Sequence, residues 1–250
     1  MSGRAFRLER VSRRFGEVEV LRELSLDIAC GEFVAVVGPS GCGKTTLLNL
    51  LSGHDRSSSG SIAREGRERM VYQQDGLFPW QTVRENIALG LRDLKDPAER
   101  ARQLSDLIEL IRLEGFENHY PHQLSGGMRQ RVELARALAG NSETLLMDEP
   151  FSALDYLARI RMRHELARIL HHRPRTVVLV THDIEEAAQL ADRVVVLTER
   201  PAQIRCELAI HQPRPRGLTD PEVVRATDRL LVELGIDGDA SRQTSTNYKE

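Results

Sequence analysis

No stretch of this 250-residue chain approaches the roughly 20 consecutive apolar residues that a helix needs to cross a bilayer. The opening MSGRAFRLERVSRRFG also lacks the apolar core of an export signal. The chain is expected neither to span a membrane nor to be exported. Any role at a membrane then requires docking on another polypeptide, because exposed backbone cannot be satisfied in hydrocarbon. A dominant charge sign is missing as well: 35 basic against 37 acidic residues give a net charge of -2. That balance gives no reason to expect nucleic acid or an acidic membrane surface as a partner. Cysteine is scarce, with Cys30, Cys42 and Cys206 odd in number and widely spaced. They suggest neither a disulfide framework nor a zinc knuckle and fit a reducing cytoplasm. What remains is 40% hydrophobic residues in a chain long enough for one large α/β domain.

The apolar runs set the organisation. Weak strand signals at residues 6–11 and 24–28 precede stronger runs at 33–37, 144–147, 176–180 and 193–197. Helix-length segments at 154–171 and 184–191 alternate with the later runs, as a parallel sheet with crossover helices requires. Residues 83–138 are charged and helix-forming with no convincing strand, which predicts an inserted α-helical subdomain. A single domain is expected over residues 1–240. The segment 241–250, SRQTSTNYKE, is polar enough to predict a disordered tail.

The first run leads directly into GPSGCGKT at residues 38–45, and LLNLLSG follows as a helix that Gly53 can terminate. Every fixed position of the phosphate-loop pattern G-x-x-x-x-G-K-[ST] is filled, and strand and helix flank it as the pattern requires. Gly38, Gly41 and Gly43 let the backbone amides of a loop that also holds Pro39, Ser40 and Cys42 approach an anion at a helix N-terminus. Lys44 is expected to clamp the β- and γ-phosphates of ATP, Thr45 to offer its hydroxyl to Mg²⁺, and Thr46 to assist at the α-phosphate. The bland reading, a flexible glycine turn with a solvated lysine, does not account for the complete pattern in its context. Asp148 and Glu149 end the run at 144–147, where an open sheet places ligand-handling side chains. Asp148 is expected to hold Mg²⁺ through its water shell, and Glu149 to orient or deprotonate the attacking water. An acidic pair at a strand end is as often solvated or helix-capping, and it is the phosphate loop that favours function here.

LSGGMRQR at residues 124–131 resembles the LSGGQ signature of the ABC transporter family, with Met128 in the glutamine position. Serine and glycines at a helix start also form a plain cap, and the two roles are compatible. The resemblance implies an α/β fold: a P-loop NTPase (RecA-like) core with an ABC antiparallel β region and the helical subdomain. It implies that Ser125, Gly126 and Gly127 act in trans, closing over ATP held by a second cassette, so that the working unit is a homodimer. It further implies that Phe15 stacks on adenine, the alternative being a core phenylalanine. Gln73, or less favourably Gln74, is a Q-loop residue reaching Mg²⁺ and the attacking water. On the same resemblance, His182 is a switch histidine that contacts the γ-phosphate and links it to the catalytic Glu149, and Asp155 in SALD organises the dimer contact. The segment at Phe78, Pro79 and Trp80 lines a groove for a membrane subunit, although Trp80 packing the helical insert is an equal alternative.

The combination with LFPWQTVRENIALGL and LMDEPFSALDYLARIRM is similar to importer cassettes of the nitrate, sulfonate and taurine group. The partners so implied are two transmembrane permease subunits and, indirectly, an extracytoplasmic solute-binding protein. The implied location is peripheral, on the cytoplasmic face of the membrane. An exporter cassette or a non-transport ABC ATPase is the alternative. Cys42, beside Lys44, raises the question of a reactive thiol, with small-residue packing the preferred explanation.

Overall fold

The computed structural model describes residues 3–72, 76–140, 142–152 and 154–236. Strands β1 (Arg4–Phe15) and β2 (Val18–Ala29) form an antiparallel hairpin. It turns through Gly16 at φ +58, a conformation that costs glycine no Cβ clash. Both strands are longer than the apolar segments at 6–11 and 24–28 suggest. Their outer ends are charged and pair across the solvent face, as in Arg10 with Glu23 and Arg14 with Glu19. A reading based on apolar runs stops where that solvated face takes over.

Strand β3 (Phe33–Val37) opens the central sheet and feeds helix α1 (Lys44–Leu51). The chain then returns as β4 (Ser59–Arg64), which pairs with the free edge of β1 to give the order β2-β1-β4. Next come β5 (Glu68–Val71) and three helices, α2 (Val83–Ala88), α3 (Pro97–Leu110) and α4 (Gly126–Leu138). Among the described residues from 83 to 138 there is no strand. The second half alternates β6 (Thr144–Asp148), α5 (Tyr156–His172), β7 (Thr176–Val180), α6 (Ile184–Leu190), β8 (Arg193–Leu197), β9 (Ile204–Ala209) and α7 (Pro221–Glu233). The sheet order is β5-β6-β7-β3-β8-β9, parallel except for β9 at the edge.

All five residues of β3, β6 and β7 are buried, as strands covered on both faces must be. The period-2 alternation divides β3 between two cores. Phe33, Ala35 and Val37 pack with the helices, whereas Val34 and Val36 pack with α1 and the three-stranded sheet. Each fully buried valine contributes roughly 1.5–3 kcal/mol, so the central strand that feeds the phosphate loop is firmly held.

Four elements have no counterpart in the sequence reading. β4 is an exposed edge strand and β9 a half-exposed one, β5 has only four residues, and α7 shows its apolar face only through Val223, Ala226 and Leu230. The segment 241–250 lies outside the described residues.

Candidate functional site

The loop between β3 and α1 takes its shape from two glycines. Gly41 has φ +74 and Gly43, the residue before α1, has φ +125. A Cβ on Gly43 would stand 2.8 Å from both Val20 and Leu21 of β2, so the hairpin leaves room for glycine alone. The Lys44 side chain is buried, and its Nζ donates to the carbonyls of Gly38 at 2.8 Å and Pro39 at 3.0 Å. Cys42 is buried inside the loop, and burial pushes its thiol pKa up despite the opposing pull of Lys44. That is the behaviour of a packing residue rather than a reactive thiolate.

Asp148 and Glu149 enter the same cleft from the end of β6. Thr45 Oγ1 donates to Asp148 Oδ1 at 3.3 Å. Burial raises the Asp148 pKa, against the Thr45 hydrogen bond and Lys44, which lower it, with the Glu149 charge also raising it. A hydroxyl and a carboxylate side by side are hard oxygen donors that suit Mg²⁺, which keeps waters and phosphate oxygens as its other ligands. A bound cation would also favour the charged form of Asp148 that burial opposes.

Glu149 has φ +45, a left-handed backbone rare outside glycine. It is held there from both sides: its amide donates to the Val180 carbonyl at 2.8 Å, and its carbonyl accepts from the Ser152 amide and hydroxyl at 3.2 and 3.0 Å. Its Oε2 lies 3.1 Å from Nδ1 of His182, whose side chain is 57% exposed.

His182 sits on a segment fixed everywhere else. Thr181 Oγ1 donates to Glu186 at 2.5 Å and accepts from the Asp183 amide at 3.0 Å. Asp183 caps α6 by accepting from the Glu186 amide at 3.0 Å, and its other oxygen accepts from Arg159 at 3.1 Å and from the fully buried Arg163. The imidazole is therefore presented to the cleft from a rigid base.

The same packing raises the pKa of the fully buried Glu186 to about 7, chiefly through desolvation, with Thr181, Arg163 and Arg159 pulling the other way and Asp183 adding to the rise. A carboxyl with a raised folded-state value keeps its proton while the unfolded chain loses it. Stability is accordingly highest below the unfolded value and falls as pH rises from about 4.5 to about 7. The difference amounts to about 3 kcal/mol at most. Glu186→Gln, which still accepts from Thr181, is expected to unfold at a higher temperature than the parent at pH 7.5, with the gain absent at pH 5. Thermal unfolding at both values checks this, and an equal offset at both would show that Glu186 does not titrate in this window.

The cleft has a volume of about 640 Å³ and is lined by Ser40, Gly41, Gly43, Lys44, Thr45, Thr46, Glu149, His182 and Arg200. Arg200 has no place in the sequence reading. It comes from the turn between β8 and β9 and donates to the Gly41 carbonyl, 159 positions away, and no motif marks such a residue.

The remaining candidates lie apart. Gln73 and Gln74 are outside the described residues. Phe15, at the hairpin tip, is 49% exposed with the Arg13 guanidinium 4.1 Å from its ring centre, so it is not a core residue. Ser125 is exposed at the start of α4 and caps it, accepting from the Met128 amide at 3.3 Å; Asp155 likewise caps α5 by accepting from Ala158 at 2.9 Å. A Cβ on Gly127 would meet nothing within 4 Å, so the chain's own packing does not require glycine there. Trp80 is 70% exposed and Phe78 is beside it at 5.4 Å between ring centres, which excludes Trp80 as buried packing.

A parallel sheet whose central strand feeds a glycine loop, a lysine and a threonine paired with a strand-end aspartate defines a P-loop nucleoside triphosphatase fold. A model of the ABC transporter family matches residues 21–152. The aliphatic sulfonates import ATP-binding protein SsuB of Bacillus licheniformis is 43% identical over 226 residues, 87% of this chain and 88% of the relative. The nitrate import ATP-binding protein NrtC of Synechococcus elongatus is 45% identical over 213 residues, 80% of this chain but 32% of that longer protein. Among solved structures, the ATP-binding cassette MJ0796, in a dimeric post-hydrolysis state bound to ADP and Pi, is 31% identical with a TM-score of 0.70. It covers 83% of this chain and all of its own. The chain belongs to the ABC transporter family.

Proposed function

We propose that the chain is the ATP-binding and ATP-hydrolysing subunit that powers an ABC importer for a small anion or organic solute such as nitrate, a sulfonate or taurine. The observation that carries the reading is the Glu149 carboxylate, 3.1 Å from His182 in the cleft that holds Lys44 and Thr45. The loop amides and Lys44 bind the polyphosphate. Thr45 and Asp148 would hold Mg²⁺, which would neutralise charge on the phosphate oxygens. Glu149 orients a water and accepts its proton as the water oxygen bonds to the γ-phosphorus. The bond to the bridging oxygen breaks with that step, leaving ADP and inorganic phosphate. His182 Nδ1–H fixes the Glu149 carboxylate. Gln73 would join this set, and Phe15 would offer an exposed face to adenine.

The residues lining this cleft come from the phosphate loop and the start of α1, with Glu149, His182 and Arg200. Ser125, Gly126 and Gly127 do not line it, yet Ser125 is exposed at the helix start, a Cβ on Gly127 would meet nothing within 4 Å, and a dimeric relative carries ADP and Pi. A second copy therefore completes each site in trans. Phe78 and Trp80 form the exposed aromatic pair that suits docking of a permease subunit, and a cassette so docked would sit peripherally at the cytoplasmic face. No helix among the described residues is long and apolar enough to cross a membrane. Two permease subunits and an extracytoplasmic binding protein complete the assembly, and the importer assignment follows the sulfonate and nitrate relatives.

Mg²⁺-dependent ATP hydrolysis measured against chain concentration tests the reading. The rate is expected to rise with the square of concentration while dimers are scarce. A first-order rate from a proven monomer would overturn the in-trans mechanism.

A further inference from the structure

We propose that Arg200 is a positioning residue of the nucleotide site, which braces the phosphate loop through the Gly41 carbonyl and raises its affinity for phosphate-bearing nucleotides. The inference rests on the ATP-binding reading above and deepens it. Arg200 is exposed, lines the cleft together with Lys44 and Glu149, and donates through Nε to the Gly41 carbonyl. It also borders a shallow cavity on the flank of the loop, where Glu199 stands beside it. The guanidinium thus straddles the edge of the loop.

Three features make the contact structural in origin and functional in consequence. First, Gly41 has φ +74, a conformation open to glycine without a Cβ penalty, and the Arg200 guanidinium holds the carbonyl of that residue. Second, the turn that presents Arg200 is closed on itself, with the Thr198 amide donating to Gln203 and the Gln203 amide to the Thr198 hydroxyl, each at 3.0 Å. Third, the turn is stapled to β2: the Ala202 amide donates to Val20 at 2.8 Å, and the Arg22 amide donates to Ala202 at 3.0 Å. Val20 and Leu21 of that strand are the residues that confine Gly43. The loop is consequently held at Gly43 by β2 and at Gly41 by a turn anchored to β2. Arg200 adds a positive charge at the same edge, where an anion would lie within a Debye length of it.

The Gly41 contact involves no reacting atom and exists before and during the reaction, so its loss weakens ground and transition states alike. KM for ATP should rise with kcat changed less than about twofold.

The test is an equilibrium titration of the full chain with Mg²⁺ complexes of ADP and of a non-hydrolysable ATP analogue, using Arg200→Met, Arg200→Lys and, as control, Lys44→Ala. Arg200→Met is expected to bind both nucleotides about tenfold more weakly, the scale of one charge-assisted hydrogen bond, with Arg200→Lys recovering part of the loss. Wild-type affinity in Arg200→Met, with Lys44→Ala still defective, overturns the role of Arg200 alone. Equal binding by the parent and Lys44→Ala overturns the nucleotide reading and this proposal with it. Thermal unfolding without nucleotide checks each variant. If Arg200→Met unfolds early, Arg200→Gln replaces it under the same criterion.

Discussion

Glu149→Gln is expected to lower ATP turnover by about 10²–10⁴-fold, the usual worth of a positioned general base, while leaving MgATP bound. The substitution is nearly isosteric, and the glutamine oxygen can still accept from His182 Nδ1, 3.1 Å from the carboxylate it replaces. What is lost is the capacity to take a proton. The backbone argues that the position is held for this purpose. Glu149 adopts φ +45, which costs a non-glycine residue of order 1 kcal/mol or more. The Val180 carbonyl and the Ser152 amide and hydroxyl hold it there. A residue serving only as a solvated end to β6 would have no need of that conformation. Because Asp148, Thr45 and Lys44 are untouched, nucleotide affinity should stay within a few-fold of the parent. Single-turnover hydrolysis alongside equilibrium binding separates the two quantities. Turnover within tenfold of the parent would remove Glu149 from the role of base, and lost binding would make it a structural residue.

How far the sequence could be read follows from which residues are buried on both faces. The strands at 33–37, 176–180 and 193–197 are legible with their observed bounds because helices or a second sheet cover them, and they read as unbroken apolar runs. β9, IRCELA at the open edge, is only half-buried at alternate positions and gives no such run. The phosphate loop is legible for a different reason: its chemistry is local, with glycines, lysine and threonine at fixed offsets around one anion. The Glu149–His182 pair needs the sheet order, which sets the end of β6 next to the end of β7. The sequence offered both residues singly, and the resemblance to a family supplied their association. Arg200 shows where such reading ends. It reaches Gly41 only because the turn after β8 folds back onto β2, a relation between segments with no spacing rule. Phe15 and Trp80 carried an open choice between core and surface, since one aromatic residue gives no periodicity, and exposure settles both as surface residues.

The second large effect is a recovery rather than a loss. Lys44→Ala and Ser125→Arg are each expected to be inactive alone, the first lacking the phosphate clamp and the second blocking the helix start at α4. Mixed in equal amounts they should regain activity. On the proposed in-trans arrangement, each site of a two-fold dimer takes its phosphate loop from one copy and its signature from the other. A mixed dimer then joins both defects in one site and leaves the other site with an intact loop and an intact signature. If copies pair at random and sites act independently, half the dimers carry one working site, for roughly a quarter of parental turnover. Recovery requires Ser125 to belong to the facing site. Within one chain it caps α4 and does not line the cleft that contains Lys44. Were both groups to serve the same site in the same copy, no mixture could assemble an intact set, and the mixed sample would stay as inactive as its components. Turnover measured across mixing ratios adds a stronger constraint, because recovery through mixed dimers must peak at equal amounts and vanish at either end.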